Sequence, residues 1–229
     1  MWISVLAEVI GIISGSPGSK VGPPTTAAIA EAQRIITAAG ASDLFAEASI
    51  GPYPAARHLS SGLICQFEPG SAANRIIIYP GNLPRGDDVG CETGRGDMVI
   101  NYSATRYAAP ITEGQAMSDA IADLQMQVSG LTPNRARVEV PPERETPSSH
   151  TVRFLGQLGN RKVFARISVA KVKGWIVVQR MTAKFESDNA TGIGSDLTAD
   201  GGWRLLLDRM VGVRSKSEPG SVILGREPP

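Results

Sequence analysis

The chain has 229 residues and a mass of 24.1 kDa, and its 23 basic and 22 acidic residues give a net charge of +1. Apolar residues make up 42% of the chain, which is enough for a buried core and excludes wholesale disorder. The near-even charge disfavours a dedicated nucleic-acid-binding protein, because such proteins are usually strongly basic. No apolar run reaches the roughly 18 residues of a transmembrane helix, so we expect no membrane span.

An apolar stretch at residues 2–13 opens the chain, and three small residues follow it. This pattern is typical of the core and cleavage region of a signal peptide, although Glu8 interrupts the stretch and no Lys or Arg precedes it. A short buried helix or strand is the alternative. We expect residues 1–24 to be a signal-like or flexible segment, and we favour a periplasmic or secreted protein over a cytoplasmic one.

Three helices are predicted from apolar residues at helical spacing and from the residues that flank them. The first covers residues 25–39, and Thr25 or Thr26 can cap its start. The second covers residues 112–128, and the third covers residues 203–213.

Between the helices, apolar residues follow a period of two or form short runs, which is typical of strands. The predicted strands lie at residues 63–67, 75–79, 98–105, 138–140, 151–158, 162–170 and 175–184. The last three are joined by loops too short for a crossover, so they must form an antiparallel meander. The prediction is an α+β fold, in which an antiparallel β-sheet, including the three-stranded meander at residues 151–185, packs against about three helices.

No internal repeat is strong enough to divide the chain, so we expect a single α+β domain at residues 25–213. The remaining residues, 214–229, combine Pro, Gly and charged residues with one short apolar run, and we expect a loosely ordered tail. The sequence does not indicate an oligomeric state.

The chain has two cysteines, Cys65 and Cys91, each in a strand-like context. A disulfide between them would close a loop of 26 residues, which the chain-entropy model values at about 3–4 kcal/mol. Such a bridge persists in an oxidising compartment. The alternative is a pair of reduced, buried cysteines that pack as small hydrophobes. Two cysteines are too few for a structural zinc site, and His58 and His150 lack the spacing of a zinc finger.

A block of short motifs lies between the first two predicted helices: Asp43-Leu44-Phe45, Arg57-His58, Ser61-Gly62, Cys65, Phe67 and Asp87-Asp88-Val89-Gly90-Cys91. This block resembles small uncharacterised exported proteins of proteobacteria. The order of elements over roughly residues 30–210 resembles the PsbP-like α/β sandwich of photosystem accessory subunits and related exported proteins. The resemblance implies export and a bridge between Cys65 and Cys91, and it implies no catalytic residue.

No cofactor or nucleophile motif is complete. Residues 90–94 and 192–194 are glycine-rich, but they match neither the dinucleotide pattern nor the P-loop, and no nucleophile elbow is present. Four acids that share one turn-rich stretch could offer oxygen ligands to Ca²⁺, but they lack the spacing of an EF-hand: Asp87, Asp88, Glu92 and Asp97. We favour solvated charged loops, and we expect no cofactor and no bound metal.

Charge is divided unevenly along the chain. Residues 1–150 carry 10 basic and 15 acidic side chains, whereas residues 151–229 carry 13 and 7. The meander at residues 151–185 contains eight Lys and Arg residues and no acid. This basic stretch is therefore the strongest lead to a binding surface.

Strand alternation gives the meander one apolar face and one mixed face. The apolar face, which we assign to the core, carries Val152, Phe154, Val163, Ala165, Ile167, Val169, Ile176 and Val178. The mixed face carries Arg153, Leu155, Phe164, Arg166, Trp175, Gln179 and Met181. Arginine beside large apolar and aromatic residues is the composition of an interface core.

A two-residue loop at Gly159 and Asn160 places Arg153 directly across from Arg166. Like charges in such a pair are unfavourable by up to about 1 kcal/mol, so something must neutralise them. The candidates are an acid from elsewhere in the chain, a bound anion or an acidic partner. We favour an internal acid, for which the acidic N-terminal portion is a source.

The leading functional hypothesis is an exported, non-catalytic binding module that uses this mixed face. Arg153, Arg166, Trp175 and Phe164 are its predicted partner-binding or anion-binding residues, and the partner is a protein or an anionic ligand. Nucleic-acid binding by the basic meander is the least favoured function.

The alternative is a small hydrolase or isomerase, so enzymatic activity stays open although we favour its absence. Its acid–base residues would be His58 with Asp87, Asp88 or Glu92. No sequence pattern links these residues into one arrangement.

Overall fold

A computed structural model describes residues 22–134, 147–185 and 189–212. Within these ranges the chain forms three helices and two antiparallel sheets, which confirms the predicted α+β class. The predicted signal-like stretch at residues 2–13, the predicted strand at 138–140 and the predicted tail at 214–229 lie outside the described residues.

The helices are α1 (Thr26–Ala38), α2 (Glu113–Gln127) and α3 (Asn189–Val211). A small sheet contains β1 (Phe45–Glu47), β2 (Ala55–His58) and β3 (Ile64–Gln66) in that order. A large sheet has the order β4-β5-β6-β10-β9-β8-β7. Its strands are β4 (Arg75–Ile78), β5 (Asp88–Arg95), β6 (Met98–Thr105), β7 (Ser129–Pro133), β8 (Ser149–Leu158), β9 (Arg161–Val172) and β10 (Trp175–Lys184).

The first two helices begin at threonine caps. Thr25 Oγ1 accepts a hydrogen bond from Ala28 N at 3.2 Å, and Thr112 Oγ1 accepts one from Gln115 N at 3.1 Å. These bonds satisfy backbone donors that the first turn of a helix leaves unpaired. Within the described ranges, none of the helices combines the length and apolar character needed to cross a membrane.

The predicted meander is confirmed as β8, β9 and β10. Gly159 and Asn160 form the turn between β8 and β9, and Lys173 and Gly174 form the turn between β9 and β10. Lys173 and Gly174 both have positive φ, 50° and 86°, as the twist of a two-residue hairpin requires. The register pairs Arg153 with Arg166, as the loop length predicts.

Both faces of the central strands β9 and β10 are buried, and each face has its own core. The predicted apolar face of the meander packs under α2, against Ala116, Met117, Ala120 and Leu124. The mixed face joins a second core with residues of α1, the small sheet and α3, including Ile35, Phe45, Phe67 and Trp203. Alternation thus assigned the side chains to the correct faces, but it did not indicate that the second face is also covered.

Helix α3 begins well before the predicted start at residue 203. It starts at Asn189 and includes a stretch with several glycines, which are poor helix formers and therefore indicate a loop in sequence analysis. Contacts of α3 with β3, β9 and β10 supply the stability that local propensity does not.

Candidate functional site

Helix α3 lies across the mixed face of the meander. Its second half buries an apolar stripe formed by Trp203, Leu206, Leu207 and Met210. These residues belong to the same core cluster as Phe164 and Met181 of the sheet. The first half of α3 contributes acids instead, and these meet the two arginines of the meander.

Asp196 neutralises Arg153 and Arg166 together. Arg153 Nε donates to the two carboxylate oxygens of Asp196 at 2.9 and 2.8 Å, and Arg166 Nη1 donates to Oδ1 at 3.0 Å. The side chain of Arg166 is 0% exposed and that of Asp196 is 6% exposed. The expected internal acid is therefore present, but it comes from α3 and not from the acidic N-terminal portion.

Arg166 has further partners that extend the ion pair into a network. Its Nη2 donates to Asp200 Oδ1 at 2.6 Å, and its Nε donates to Ser168 Oγ at 3.1 Å. Asp200 also accepts from Arg204 Nε at 2.8 Å along the same helix. A buried charge is tolerated when it is paired and fully hydrogen-bonded, and this network meets that condition for Arg166.

Gln179 of β10 links the network to the helix backbone. Its Nε2 donates to the carbonyl of Ala199 at 2.8 Å and to Tyr102 Oη at 3.3 Å. Burial raises the pKa of the Tyr102 hydroxyl, so that group stays protonated. Polar contacts therefore hold α3 against β6, β9 and β10 at one place.

The four predicted binding residues do not form an accessible surface. Phe164, Arg166 and Trp175 are each at most 3% exposed, and the Arg153 side chain is 16% exposed. The prediction that this face is open to a partner is wrong, because α3 covers it and supplies the anionic groups internally.

Trp175 lies apart from the two arginines, in a cluster with His58 and Arg106. The His58 ring meets Trp175 edge-on with centroids 5.6 Å apart, and the Arg106 guanidinium lies 5.1 Å from the centroid of the indole ring. Arg106 also pairs with Asp87 at 2.5 Å. This cluster places cation–π and ring contacts around one end of β10.

His58 is completely buried between Phe45 and Trp175. Its Nδ1 lies 2.8 Å from Ser61 Oγ and accepts from Ser61 N at 3.2 Å. Its Nε2 has no hydrogen-bond partner among the described residues. Burial disfavours the imidazolium and lowers the pKa of His58 from 6.5 to about 4. The ring is therefore a neutral packing residue that organises the turn after β2.

The acids proposed to act with His58 have other partners. Asp87 pairs with Arg106, Asp88 accepts from Thr105 Oγ1 at 2.8 Å, and Glu92 pairs with Arg75 at 2.8 Å. In the part of the chain that the structure describes, no hydrogen bond joins His58 to any of the three. This geometry lends no support to the hydrolase or isomerase alternative.

Cys65 of β3 and Cys91 of β5 form a disulfide, with the sulfurs 2.10 Å and the Cα atoms 5.9 Å apart. The predicted pairing is confirmed. The bridge joins the small sheet to the large sheet, and both cysteines are buried in the shared core. It thus fixes β3 over β5 close to the cavity described next.

A half-open cavity of about 340 Å³, which we call the α3 pocket, lies between α3, β3 and the hairpin of β5 and β6. Its apolar and aromatic lining consists of Tyr53, Ile64, Phe67, Met98, Ile100, Tyr102, Leu205 and Leu206. Its other lining residues are Gln66, Glu68, Thr93, Arg95, Thr198, Gly201, Gly202 and Arg209. Tyr53 and Leu205 remain 39% and 42% exposed, which leaves apolar surface open to solvent.

Two adjacent glycines of α3 shape this pocket. A Cβ atom on Gly202 would lie 2.9 Å from Tyr102 Oη, so the glycine allows α3 to approach β6 closely. A Cβ atom on Gly201 would have no atom within 4 Å, because Gly201 faces the cavity. Gly202 therefore allows close packing of α3 against β6, and Gly201 leaves open space on the pocket side of the helix.

Sequence reasoning missed the α3 pocket because four distant segments form it. The signal that could have revealed it is the Gly201–Gly202 pair, which directly precedes the predicted helix at residues 203–213. Two adjacent glycines indicate a loop, however, because the ion pairs of Asp196 and Asp200 that hold this part of α3 on the sheet cannot be identified from the sequence.

Within the described residues, no cluster of three or more His, Cys, Asp and Glu side chains is arranged to hold a metal ion. Of the predicted acidic cluster, Asp87 and Glu92 pair with arginines and Asp88 bonds to Thr105.

Comparison with known proteins gives little guidance. No family model matches the chain. No curated protein matches it. Among solved structures, it is similar to PA94, a protein of unknown function from Pseudomonas aeruginosa that is described as a candidate regulator, with 8% identity and a TM-score of 0.34. The match covers 72% of this chain and 97% of PA94. A likeness this distant carries no argument about function.

Proposed function

We propose that the protein is a non-catalytic binding module and that its ligand site is the α3 pocket, not the covered face of the meander. The observation that carries this proposal is the half-open cavity of about 340 Å³ with a largely apolar wall. Ligand sites are typically concave and apolar with a few polar groups, and they start at about 300 Å³. The α3 pocket has this composition and lies at the lower end of that size range.

The ionisable groups of the lining support binding over catalysis. They comprise one carboxylate, Glu68, and two guanidinium groups, Arg95 and Arg209, together with tyrosines. Among the described residues, the pocket lining includes no histidine and no cysteine. General acid–base chemistry near neutral pH most often uses histidine, and His58 is buried outside this lining.

We also propose that the protein works in the periplasm or is secreted. The disulfide between Cys65 and Cys91 supports this location, because structural disulfides persist in oxidising compartments and are rare in the cytosol. The resemblance to exported proteobacterial proteins points the same way.

The test uses 8-anilinonaphthalene-1-sulfonate, a fluorescent probe with an apolar ring system and an anionic group. We expect saturable binding of this probe to the folded protein. The variant Gly201→Leu fills the cavity without a backbone clash, because a Cβ atom at Gly201 has open space around it. It should weaken probe binding at least about tenfold, which corresponds to about 1.4 kcal/mol.

The matched control is Gly194→Leu. Gly194 lies on the same helix, also has nothing within 4 Å of a Cβ atom, and does not line the pocket. Both variants replace a helical glycine with leucine, so their effects on helix propensity are alike. We expect Gly194→Leu to bind the probe like the wild type.

Two outcomes would count against the proposal in different ways. Equal probe binding by Gly201→Leu and Gly194→Leu would overturn the assignment of the site to the pocket. Probe fluorescence that rises only as the protein unfolds would overturn the binding module itself.

A further inference from the structure

The charged side chains that line the α3 pocket are already engaged. They are Glu68, Arg95 and Arg209. Arg95 forms an ion pair with Glu68, with Nε 3.9 Å from Oε1. Arg209 has an interaction partner of its own, and it lies in the last turn of α3, where the negative end of the helix dipole favours a cation. A charged ligand would therefore give up hydration in the cavity without meeting an unengaged counter-charge.

Four hydroxyl groups line the pocket, and they differ in where their protons go. Thr93 Oγ1 donates to Asn74 Oδ1 at 2.8 Å, and Thr198 Oγ1 donates to a backbone carbonyl of α3 at 2.9 Å. Tyr53 is 39% exposed, so water can accept its proton. The fourth hydroxyl belongs to Tyr102 of β6, which is only 8% exposed.

The Tyr102 hydroxyl accepts a hydrogen bond but donates none to the described residues. Its Oη accepts from Gln179 Nε2 at 3.3 Å, and the same Nε2 donates to the carbonyl of Ala199 at 2.8 Å. The contact with Ala199 fixes the orientation of the amide, so Gln179 presents a donor to Tyr102 and not an acceptor. Burial raises the pKa of Tyr102 and keeps the hydroxyl protonated. A buried donor without an acceptor is costly, and a ligand that supplies the acceptor removes that cost.

The Tyr102 hydroxyl lies at the wall of the cavity. Tyr102 and Gly202 both line the pocket, and a Cβ atom on Gly202 would lie 2.9 Å from Tyr102 Oη. The hydroxyl oxygen is therefore next to the part of the wall where α3 has no side chain. An acceptor atom of a bound ligand can approach the proton at this place.

A carbonyl group suits this proton better than a ligand hydroxyl does. A carbonyl oxygen accepts a hydrogen bond and brings no donor of its own. A hydroxyl would bring a second proton, which also needs an acceptor in a cavity whose wall is largely apolar.

We propose that the ligand of the α3 pocket is an uncharged, largely apolar small molecule whose carbonyl oxygen accepts the hydroxyl proton of Tyr102. This inference rests on the proposed function and specifies its ligand class. The apolar lining supplies affinity and the hydrogen bond orients the ligand, which is the usual division of roles in small-molecule sites.

The probes are naphthalene derivatives of similar size, measured by equilibrium dialysis. Two are uncharged, 2-acetylnaphthalene with a carbonyl group and 2-ethylnaphthalene without one, and two are charged, the anion 2-naphthoate and the cation 2-naphthylmethylammonium. We expect 2-acetylnaphthalene to bind at least about tenfold more tightly than either charged compound, a difference of about 1.4 kcal/mol. Gly201→Leu should weaken binding of 2-acetylnaphthalene by a similar factor, and Gly194→Leu should not.

Tyr102→Phe tests the hydrogen bond, because it keeps the ring and removes the hydroxyl. We expect this variant to bind 2-acetylnaphthalene at least about fivefold more weakly than the wild type, a difference of about 1 kcal/mol. Its binding of 2-ethylnaphthalene should be unchanged, since that compound fills the same space without a carbonyl. An equal loss for both compounds would show disturbed packing and would overturn the hydrogen bond.

Intermolecular nuclear Overhauser effects in the wild-type protein keep the test valid even where Tyr102→Phe fails to fold. We expect the acetyl methyl group of bound 2-acetylnaphthalene to contact the ring protons of Tyr102. Contacts of that methyl group with the exposed Tyr53 and Leu205, and not with Tyr102, would overturn the assigned orientation.

The outcomes separate this inference from the proposed function. If a charged compound binds as tightly as 2-acetylnaphthalene, while the anilinonaphthalene probe still binds and responds to Gly201→Leu, the ligand class is overturned and the binding module stands. If neither that probe nor any of the naphthalene derivatives binds the folded protein, the proposed function itself fails.

Discussion

Arg153 and Arg166 face each other across β8 and β9, and both guanidinium groups donate to the carboxylate of Asp196. The carboxylate neutralises the repulsion between the two arginines, and the arginine pair thus forms the docking site for the first half of α3. Because the Arg166 side chain is fully buried, water cannot replace the carboxylate. The position of α3, and with it one wall of the α3 pocket, depends on Asp196.

We expect Asp196→Asn to lower the free energy of unfolding by about 3–5 kcal/mol, because it removes the carboxylate that Arg153 and Arg166 share and leaves Asp200 as the anionic partner of the buried Arg166. Urea denaturation followed by circular dichroism measures this change. The control is Asp43→Asn, which breaks an exposed pair with Arg85 and should leave the stability nearly unchanged. Wild-type stability of Asp196→Asn would contradict the account of α3 docking.

The glycines of α3 give a second prediction. Gly194→Ala should stabilise the protein by about 0.5–1 kcal/mol, because the site is open and alanine favours the helix. Gly202→Ala should destabilise it, since its Cβ atom would lie 2.9 Å from Tyr102 Oη. Thermal unfolding distinguishes the two. Adding Tyr102→Phe, which removes that oxygen, should recover part of the loss, and the absence of any recovery would argue against this contact.

The meander shows what sequence patterning can determine. The short loops fixed its antiparallel pairing and its register, and alternation placed Ile167 and Arg166 on opposite faces, as the structure confirms. The second half of α3 was also predictable, because Trp203 and Leu206 follow helical spacing. In these segments local propensity and burial favour the same conformation.

The first half of α3 and the α3 pocket were not predictable in the same way. Glycine disfavours a helix locally, and only the long-range ion pairs of Asp196 and Asp200 with the sheet offset that cost. Sequence alone could identify an unpaired Arg153 and Arg166 but not the distant acid that meets them. The error in the predicted surface and the missed pocket therefore have one cause, the docking of α3.

The disulfide gives a third prediction. Replacing both Cys65 and Cys91 with alanine should lower the free energy of unfolding by about 3–4 kcal/mol, since the bridge closes a 26-residue loop. Denaturation with and without dithiothreitol measures the same quantity in the wild-type protein. The double variant should be insensitive to the reductant. A wild-type protein whose stability is unaffected by full reduction would contradict a structural role for the bridge.

The buried His58 predicts loss of stability in acid. Its pKa falls from 6.5 to about 4 on folding, because burial disfavours the charged imidazolium. The unfolded chain therefore binds a proton at His58 more readily than the folded protein does. The resulting stabilisation is complete above pH 6.5 and is lost as the pH falls towards 4; its full size is about 3 kcal/mol.

The measurement is the free energy of unfolding at pH 7 and pH 4 for the wild type and for His58→Gln, which removes the titrating ring. Carboxylates contribute to both proteins alike, so the difference between the two pH profiles isolates His58. Parallel profiles would show that His58 titrates alike in the folded and unfolded states.

The most direct test of the α3 pocket as the ligand site is backbone amide NMR during titration with 8-anilinonaphthalene-1-sulfonate. The account predicts that the largest saturable shifts fall on pocket residues of β3 and α3, including Ile64, Gln66, Gly201 and Leu205. Shifts confined to α2 and the outer strands β7 and β8, with the pocket unchanged, would contradict it.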